Sequence, residues 1–228
     1  MPTPLKKKDL EITLQHIPTN PTPNPTKEQY QTPATIAADI IFTAYQLGDI
    51  HNKTIIDLGC GTGIFAVGAT LAGAAHVTGI DTDPDAITIA THFATDHNLT
   101  IDYQTKDITT IDITADTVLM NPPFGAQKAN KAADRRFLEK AIQTAPVIYS
   151  LHLTKTIPFL QTMIHALHSE ITLQRPYKFP IPAMFSFHTK LKSTHDVSLL
   201  RIEVHTTPPE APIKNKGFSP AKPRRDRY

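Results

Sequence analysis

The chain has 228 residues, 40% of them hydrophobic, with 23 Lys and Arg against 21 Asp and Glu and a formal net charge of +2. That is enough for one domain with its own core, and no apolar run approaches the ~20 residues of a membrane-spanning helix. The single cysteine, Cys60, excludes an internal disulfide and a cysteine-based zinc site, and with a basic N-terminus that lacks an apolar leader it suits a cytoplasmic protein.

The first element is a short amphipathic stretch, Lys6–His16. A Pro/Thr/Asn run, Ile17–Thr26, follows and excludes helix and central strand. After Pro33, ATIAADIIFTAYQL has helical spacing. Then strands and helices alternate. TIIDL (54–58), HVTGI (76–80), IDYQT (101–105), DTVLM (116–120) and VIYSL (147–151) read as strands. IFAVGATLAG (64–73), PDAITIATHFATDHN (84–98), ADRRFLEKAIQTA (133–145) and TKTIPFLQTMIHALHS (154–169) read as helices. Asp83 is a plausible N-cap, with Pro84 in the first helical position. EITLQRPYKF and DVSLLRIEV close the pattern as two strands with no helix between them. The expectation is an α/β fold: a doubly wound, mostly parallel, seven-stranded Rossmann-like sheet with an antiparallel edge hairpin. Three parts are expected: an extension over 1–26, the main domain over 27–207 and a tail over 208–228. The tail holds six Lys and Arg against two acids, and such a Pro-rich basic end is expected to be disordered in isolation and to suit a phosphate backbone.

The chemistry gathers at the strand ends. TIIDL runs into DLGCGTGIF, where Asp57 precedes a turn containing Gly59, Gly61 and Gly63. The dinucleotide pattern G-x-G-x-x-G would need glycine at 64, and Ile64 stands there. The second strand ends at Asp81, and the third is followed by Asp107 and Ile108. In a doubly wound sheet ligands sit at the carboxyl ends of strands. Asp81 there suits ribose hydroxyls, Asp107 an adenine amino group with Ile108 against the ring, and Asp57 with the glycines an amino-acid moiety. That is the shape of S-adenosylmethionine, whose positive charges suit an acidic rim better than a diphosphate would. The competing reading makes these acids N-caps or loop carboxylates. Cys60 lies inside the turn with no base placed near it by sequence, and reads as packing. His165 and His168 share a helical face without a third ligand, so no metal site is expected.

The fourth strand ends in Asn121-Pro122-Pro123-Phe124. An exocyclic amine needs acceptors that hold its NH2 group, and the Asn121 side chain and the Pro122 carbonyl supply two. The prolines stiffen that pair and remove donors. Phe124, directly after a strand end, is expected to be partly exposed and to stack on a flipped-out base. The bland alternative is a plain turn with Phe124 filling a gap.

DLGCGTG, GIDTD, KDI and NPPFG together resemble class I S-adenosylmethionine-dependent methyltransferases of exocyclic amines. EQYQTPATIAADI, VLMNPPFGAQ, VIYSLH and FSFHTK further resemble the methyltransferase-like protein five family and its archaeal relatives. The resemblance implies N6-methylation of an adenosine in small-subunit ribosomal RNA, S-adenosyl-L-methionine as cofactor and a small zinc-binding activator protein as partner. It also implies Gln29 and Thr32 lining the cofactor site, Gly59, Thr62 and Ile64 at the methionine end, Asp81 at the ribose, and Asp107 and Ile108 at the adenine. Residues 121–124 would be catalytic. Gln31 stands where the family pattern has proline. Guanine-N2 methylation of ribosomal RNA and methylation of a protein glutamine amide use the same acceptor chemistry. DNA adenine methylation would need a larger recognition region than 152–228. A non-catalytic ribosome-assembly or RNA-binding factor is the alternative of another class.

Overall fold

The computed structural model describes residues 5–21, 30–124, 133–182 and 192–205. Gln29, the FSFHTK stretch and the basic tail lie outside the described residues. The elements are α1 (Lys7–Gln15), α2 (Ala34–Gln46), β1 (Thr54–Leu58), α3 (Ile64–Leu71), β2 (His76–Asp81), α4 (Pro84–Asp96), β3 (Asp102–Thr105), β4 (Thr117–Met120), α5 (Ala133–Thr144), β5 (Val147–Leu153), α6 (Ile157–Ala166), β6 (Ser169–Pro182) and β7 (Lys192–Val204). Their sheet has the order β3-β2-β1-β4-β5-β7-β6. The first five strands run parallel and β7 runs antiparallel to both neighbours.

The central strands carry residues buried on both faces, as their unbroken branched apolar runs require. One face packs on α1, α2, α3 and α4 through Leu10, Leu14, Ile41, Phe65 and Phe93. The other packs on α5 and α6 through Leu138, Ala141, Leu160 and Ile164. So α1, which the Pro/Thr run sets apart in sequence, joins the main core. The expected cap of α4 is present: Asp83 Oδ1 accepts from the N–H groups of Asp85 (3.0 Å) and Ala86 (3.4 Å), with Pro84 following. The last two strands form the expected antiparallel pair, but the final strand β7 lies inside and β6 forms the edge. Pro176 and Pro180 explain that order, because prolines cannot donate to a ladder and fit an edge strand. β5 covers only Val197–Glu203 of β7, so the other end of the hairpin runs on past the carboxyl end of β5.

Candidate cofactor and amine-binding site

The strand order reverses between β1 and β4. From β1 the chain crosses through α3 to β2 on one side, and from β4 through α5 to β5 on the other. Such a switch point leaves a crevice at the carboxyl ends of the strands. Leu58 and Met120 are register partners, so the glycine turn after β1 and Asn121 after β4 emerge side by side.

Gly59, Gly61 and Gly63 have φ values of 71°, 52° and 88°. All three lie in the left-handed region, where side chains are disfavoured. The turn is tied to β2: the N–H groups of Gly59 and Cys60 donate to Ile80 O (2.8 and 3.0 Å), and Gly61 N–H donates to Asp81 Oδ2 (2.8 Å). Asp81 Oδ1 accepts from Asp83 N–H (2.9 Å). Asp81 therefore shapes the turn as well as facing the crevice, and each oxygen keeps a lone pair for a further donor. Burial raises its carboxyl above the ordinary range, against the opposing pull of those N–H groups.

Asp57 is buried at 1% exposure. Its Oδ2 accepts from Ala66 N–H (2.9 Å) in the first turn of α3. Its Oδ1 has no partner among the described residues. Burial pushes the carboxyl up to about 8, with the nearby Asp81 charge adding to the rise. Burial also pushes the Cys60 thiol up, so it is no thiolate, in line with a packing role. Thr62 and Ile64 are buried in the turn and at the start of α3, with Thr62 Oγ1 unpartnered among the described residues.

Asp107 is exposed and does cap a structure: its Oδ1 accepts from Thr109 N–H (2.8 Å) and Oγ1–H (2.7 Å) in a single 3-10 turn, Ile108–Thr110. The Thr109 N–H, more than any other group, holds its carboxyl below the ordinary range. Ile108 packs in the core beneath.

Asn121 is held from the segment before α2. Its Nδ2 donates to Thr32 Oγ1 (3.1 Å) and Tyr30 O (3.4 Å). With the amine end engaged, the buried carbonyl Oδ1 is left without a partner among the described residues. Thr32, 3% exposed, thus meets the Asn-Pro-Pro-Phe segment directly. Pro122 is buried and Pro123 half-buried. Phe124 corrects an expectation: it is 8% exposed, not open to solvent. Phe179 of β6 meets it edge-on, with ring centroids 5.6 Å apart at 87°. Edge-to-face pairs are favoured aromatic contacts, and the partner comes from a strand remote in sequence.

Five buried side-chain oxygens lack a partner among the described residues: Gln31 Oε1, Asp57 Oδ1, Thr62 Oγ1, Tyr103 Oη and Asn121 Oδ1. All lie on the glycine turn, the strands beside it or the segment that binds Asn121. Unpaired buried polar atoms are costly and scarce, so their gathering at one edge marks a ligand site. Two of them, the amide oxygens of Gln31 and Asn121, only accept. A ligand that satisfies them brings donors: amines, hydroxyls or an ammonium group. S-adenosylmethionine fits that donor set, and the surrounding carboxylates fit its positive charge. Sequence reasoning missed Tyr103, whose only signal is the glycine facing it on β2. It also missed Phe179, which carries no local signal.

Sheet order, glycine turn and the Asn-Pro-Pro-Phe segment at the switch point define a Rossmann-like methyltransferase. Residues 17–145 match the Methyltransferase small domain family. The rRNA N(6)-adenosine-methyltransferase METTL5 of Danio rerio is 34% identical over 204 residues, covering 86% of this chain and 98% of that one. The Drosophila melanogaster Mettl5 is 33% identical, covering 89% and 98%. The chain belongs to the Methyltransferase small domain family and, within it, to the METTL5 family. A crystal structure from Pyrococcus horikoshii, described as a candidate RNA methyltransferase, superposes with a TM-score of 0.81 at 33% identity, covering 89% of this chain and 99% of that one.

Proposed function

We propose that this protein transfers a methyl group from S-adenosyl-L-methionine to N6 of an adenosine in small-subunit ribosomal RNA. The observation that carries the reading is Asn121: its amine end is bound by Thr32 and Tyr30, and its buried carbonyl oxygen is left for a ligand at the switch point. The family relatives supply the choice of adenosine in ribosomal RNA.

When bound, S-adenosylmethionine would supply the electrophilic methyl carbon for the N6 lone pair, with its sulfur as the leaving group. The chain's own work is positioning. Asp81 offers its remaining lone pairs to the ribose hydroxyls. Asp107 Oδ2 offers an acceptor for the adenine amino group, with Ile108 below. Asp57, Gly59, Gly61, Thr62 and Ile64 take the methionine end, with Gln29 and Thr32 closing the site from the N-terminal side. Asn121 Oδ1 and the Pro122 carbonyl accept from the two N6 hydrogens, drawing the amine out of the plane of its ring. Pro123 stiffens the segment, and Phe124 stacks on the base. After transfer, one N6 proton passes to water.

Among the described residues no helix is long and apolar enough to cross a membrane, and a cytoplasmic setting suits a ribosomal RNA substrate. The basic tail over 208–228 would add phosphate contacts. A small zinc-binding activator protein is the partner that the family resemblance suggests.

The test is incubation of small-subunit ribosomal RNA with labelled cofactor, followed by mass spectrometry of the digested nucleosides. N6-methyladenosine is expected at one position. N2-methylguanosine, or label only in protein, overturns the reading.

A further inference from the structure

Tyr103 has no role in the site as assembled so far. Its aromatic ring lies across β2 at Gly79, its register partner, where an added Cβ would stand 2.6 Å from ring atoms Cδ1 and Cε1. The hydroxyl then reaches beneath the glycine turn, where a Cβ on Gly63 would stand 2.2 Å from Oη. Two glycines on separate elements thus form the mould for one side chain. If filling space were the whole task, phenylalanine would do it without burying an unpaired hydroxyl. Yet Tyr103 Oη is buried and partnerless among the described residues, as is Asp57 Oδ1 on the strand that feeds the same turn. Burial, then the neighbouring Cys60 and Asp57, keeps the proton on the phenol. The phenol therefore stays a donor.

We infer that Tyr103 is a positioning residue of the cofactor site: it donates to one buried water that in turn donates to Asp57 Oδ1, fixing the carboxylate for the ammonium end of the cofactor. This inference rests on the cofactor reading of the site. A phenol donor and a carboxylate acceptor, both buried and both without a partner among the described residues, are the groups that a buried water serves. The titratable groups whose charge reaches the Tyr103 phenol are Cys60 in the turn and Asp57 on β1, and Asp81 on β2 acts on both of those.

Tyr103→Phe keeps the ring and removes only the hydroxyl. Calorimetric titration of S-adenosylmethionine should show affinity weakened about three- to tenfold, the span of one lost hydrogen bond. S-adenosylhomocysteine keeps the ammonium and should lose as much. The melting temperature without ligand should change little, since the ring that fills the mould between Gly79 and Gly63 is kept. The pH midpoint of cofactor affinity should move upward, because Asp57 ionises less readily without its bridge. Affinity and pH midpoint equal to the unaltered protein overturn the inference. So does a loss of affinity that comes with a lowered melting temperature and an unmoved pH midpoint, which would make Tyr103 structural. Failure of the unaltered protein to bind either ligand is a different result: it overturns the cofactor reading itself.

Discussion

Two carboxylates are buried at opposite ends of one sheet. Asp49, just before β1, accepts from Tyr149 Oη (2.5 Å) and from Arg201 Nε (2.8 Å) and Nη2 (3.2 Å). Arg201 also donates to Thr172 Oγ1 (2.6 Å) and pairs with Glu203. Asp57, at the far end of β1, has one N–H partner and one bare oxygen. The tyrosines repeat the contrast: the Tyr149 hydroxyl lies within reach of both Asp49 and Arg201, whereas that of Tyr103 has no partner among the described residues. Burial of polar groups is thus common to both ends, and satisfaction separates them. The amino end of the sheet is finished structure. The carboxyl end keeps its polar atoms for something that arrives.

If that division holds, Arg201→Met should cost stability and nothing else. Both Arg201 and Asp49 are largely shielded from solvent. Removing one partner of a buried ion pair strands the other, at about 3–5 kcal/mol. The urea midpoint should fall accordingly, while cofactor affinity, measured where the variant is folded, stays within twofold. A matching loss of affinity would show that the two ends are not independent. Asn121→Ala should do the reverse. Losing a fixed polar group at the reacting centre costs about 100- to 1,000-fold in kcat, with cofactor affinity within a few fold and stability little changed. Equal loss of turnover and binding would move Asn121 into the cofactor scaffold. Thr32→Val removes one of the two acceptors that hold the Asn121 amide and leaves Tyr30 O, so its loss of kcat should be the smaller of the two.

The finished end and the open end were not equally legible in sequence. β1, β2 and β4 stand out as branched apolar runs, and the glycines and acids after them mark the carboxyl edge, because those signals are local. The Asp49–Arg201 network joins residues far apart along the chain and leaves no spacing to read. The burial of Phe124 depends on Phe179 in the same way. The inward place of β7 follows from pairing, which periodicity does not encode. Asp81 was legible as an acid at the carboxyl end of β2, but its hold on the Gly61 N–H depends on how the turn folds back. Tyr103 reads as one more strand aromatic until Gly63 and Gly79 are seen on either side of it.

The same contrast has a pH signature. Asp57 is pushed up to about 8 from an ordinary 3.8. Between those values the native chain binds the extra proton, so ligand-free stability falls as pH rises, by at most about 1.4 kcal/mol per pH unit. Burial lowers His152 to about 4 from 6.5, so over that interval the unfolded chain binds the extra proton and stability rises with pH. The two effects oppose one another from about pH 4 to 6.5, and Asp57 acts alone from there to about 8. Burial would raise Asp39, but hydrogen bonds from Lys7, Tyr177 and Arg175 bring it down to about 2. Its contribution is present above the ordinary carboxylate range and is lost as pH falls towards 2. Urea midpoints across this range should be level in the acid-neutral interval and decline above it. Asp57→Asn should remove the decline. A decline that persists in the variant would place its source outside Asp57.

The smallest effect is expected from an ion pair that resembles Asp49–Arg201 only on paper. Lys178 Nζ lies 2.5 Å from Asp196 Oδ1, with side chains 77% and 67% exposed. Water solvates both ions almost as well apart as together, and ordering two long side chains offsets what attraction remains. Lys178→Ala should therefore move the urea midpoint by no more than about 0.5 kcal/mol equivalent. Lys178 and Asp196 face each other on the part of the hairpin that β5 does not cover, with both side chains open to solvent. A loss approaching that of Arg201→Met would mean that this exposed pair, and not only Phe179 beside it, is held against another part of the protein. The division would then run between covered and uncovered surfaces, not between the two ends of the sheet.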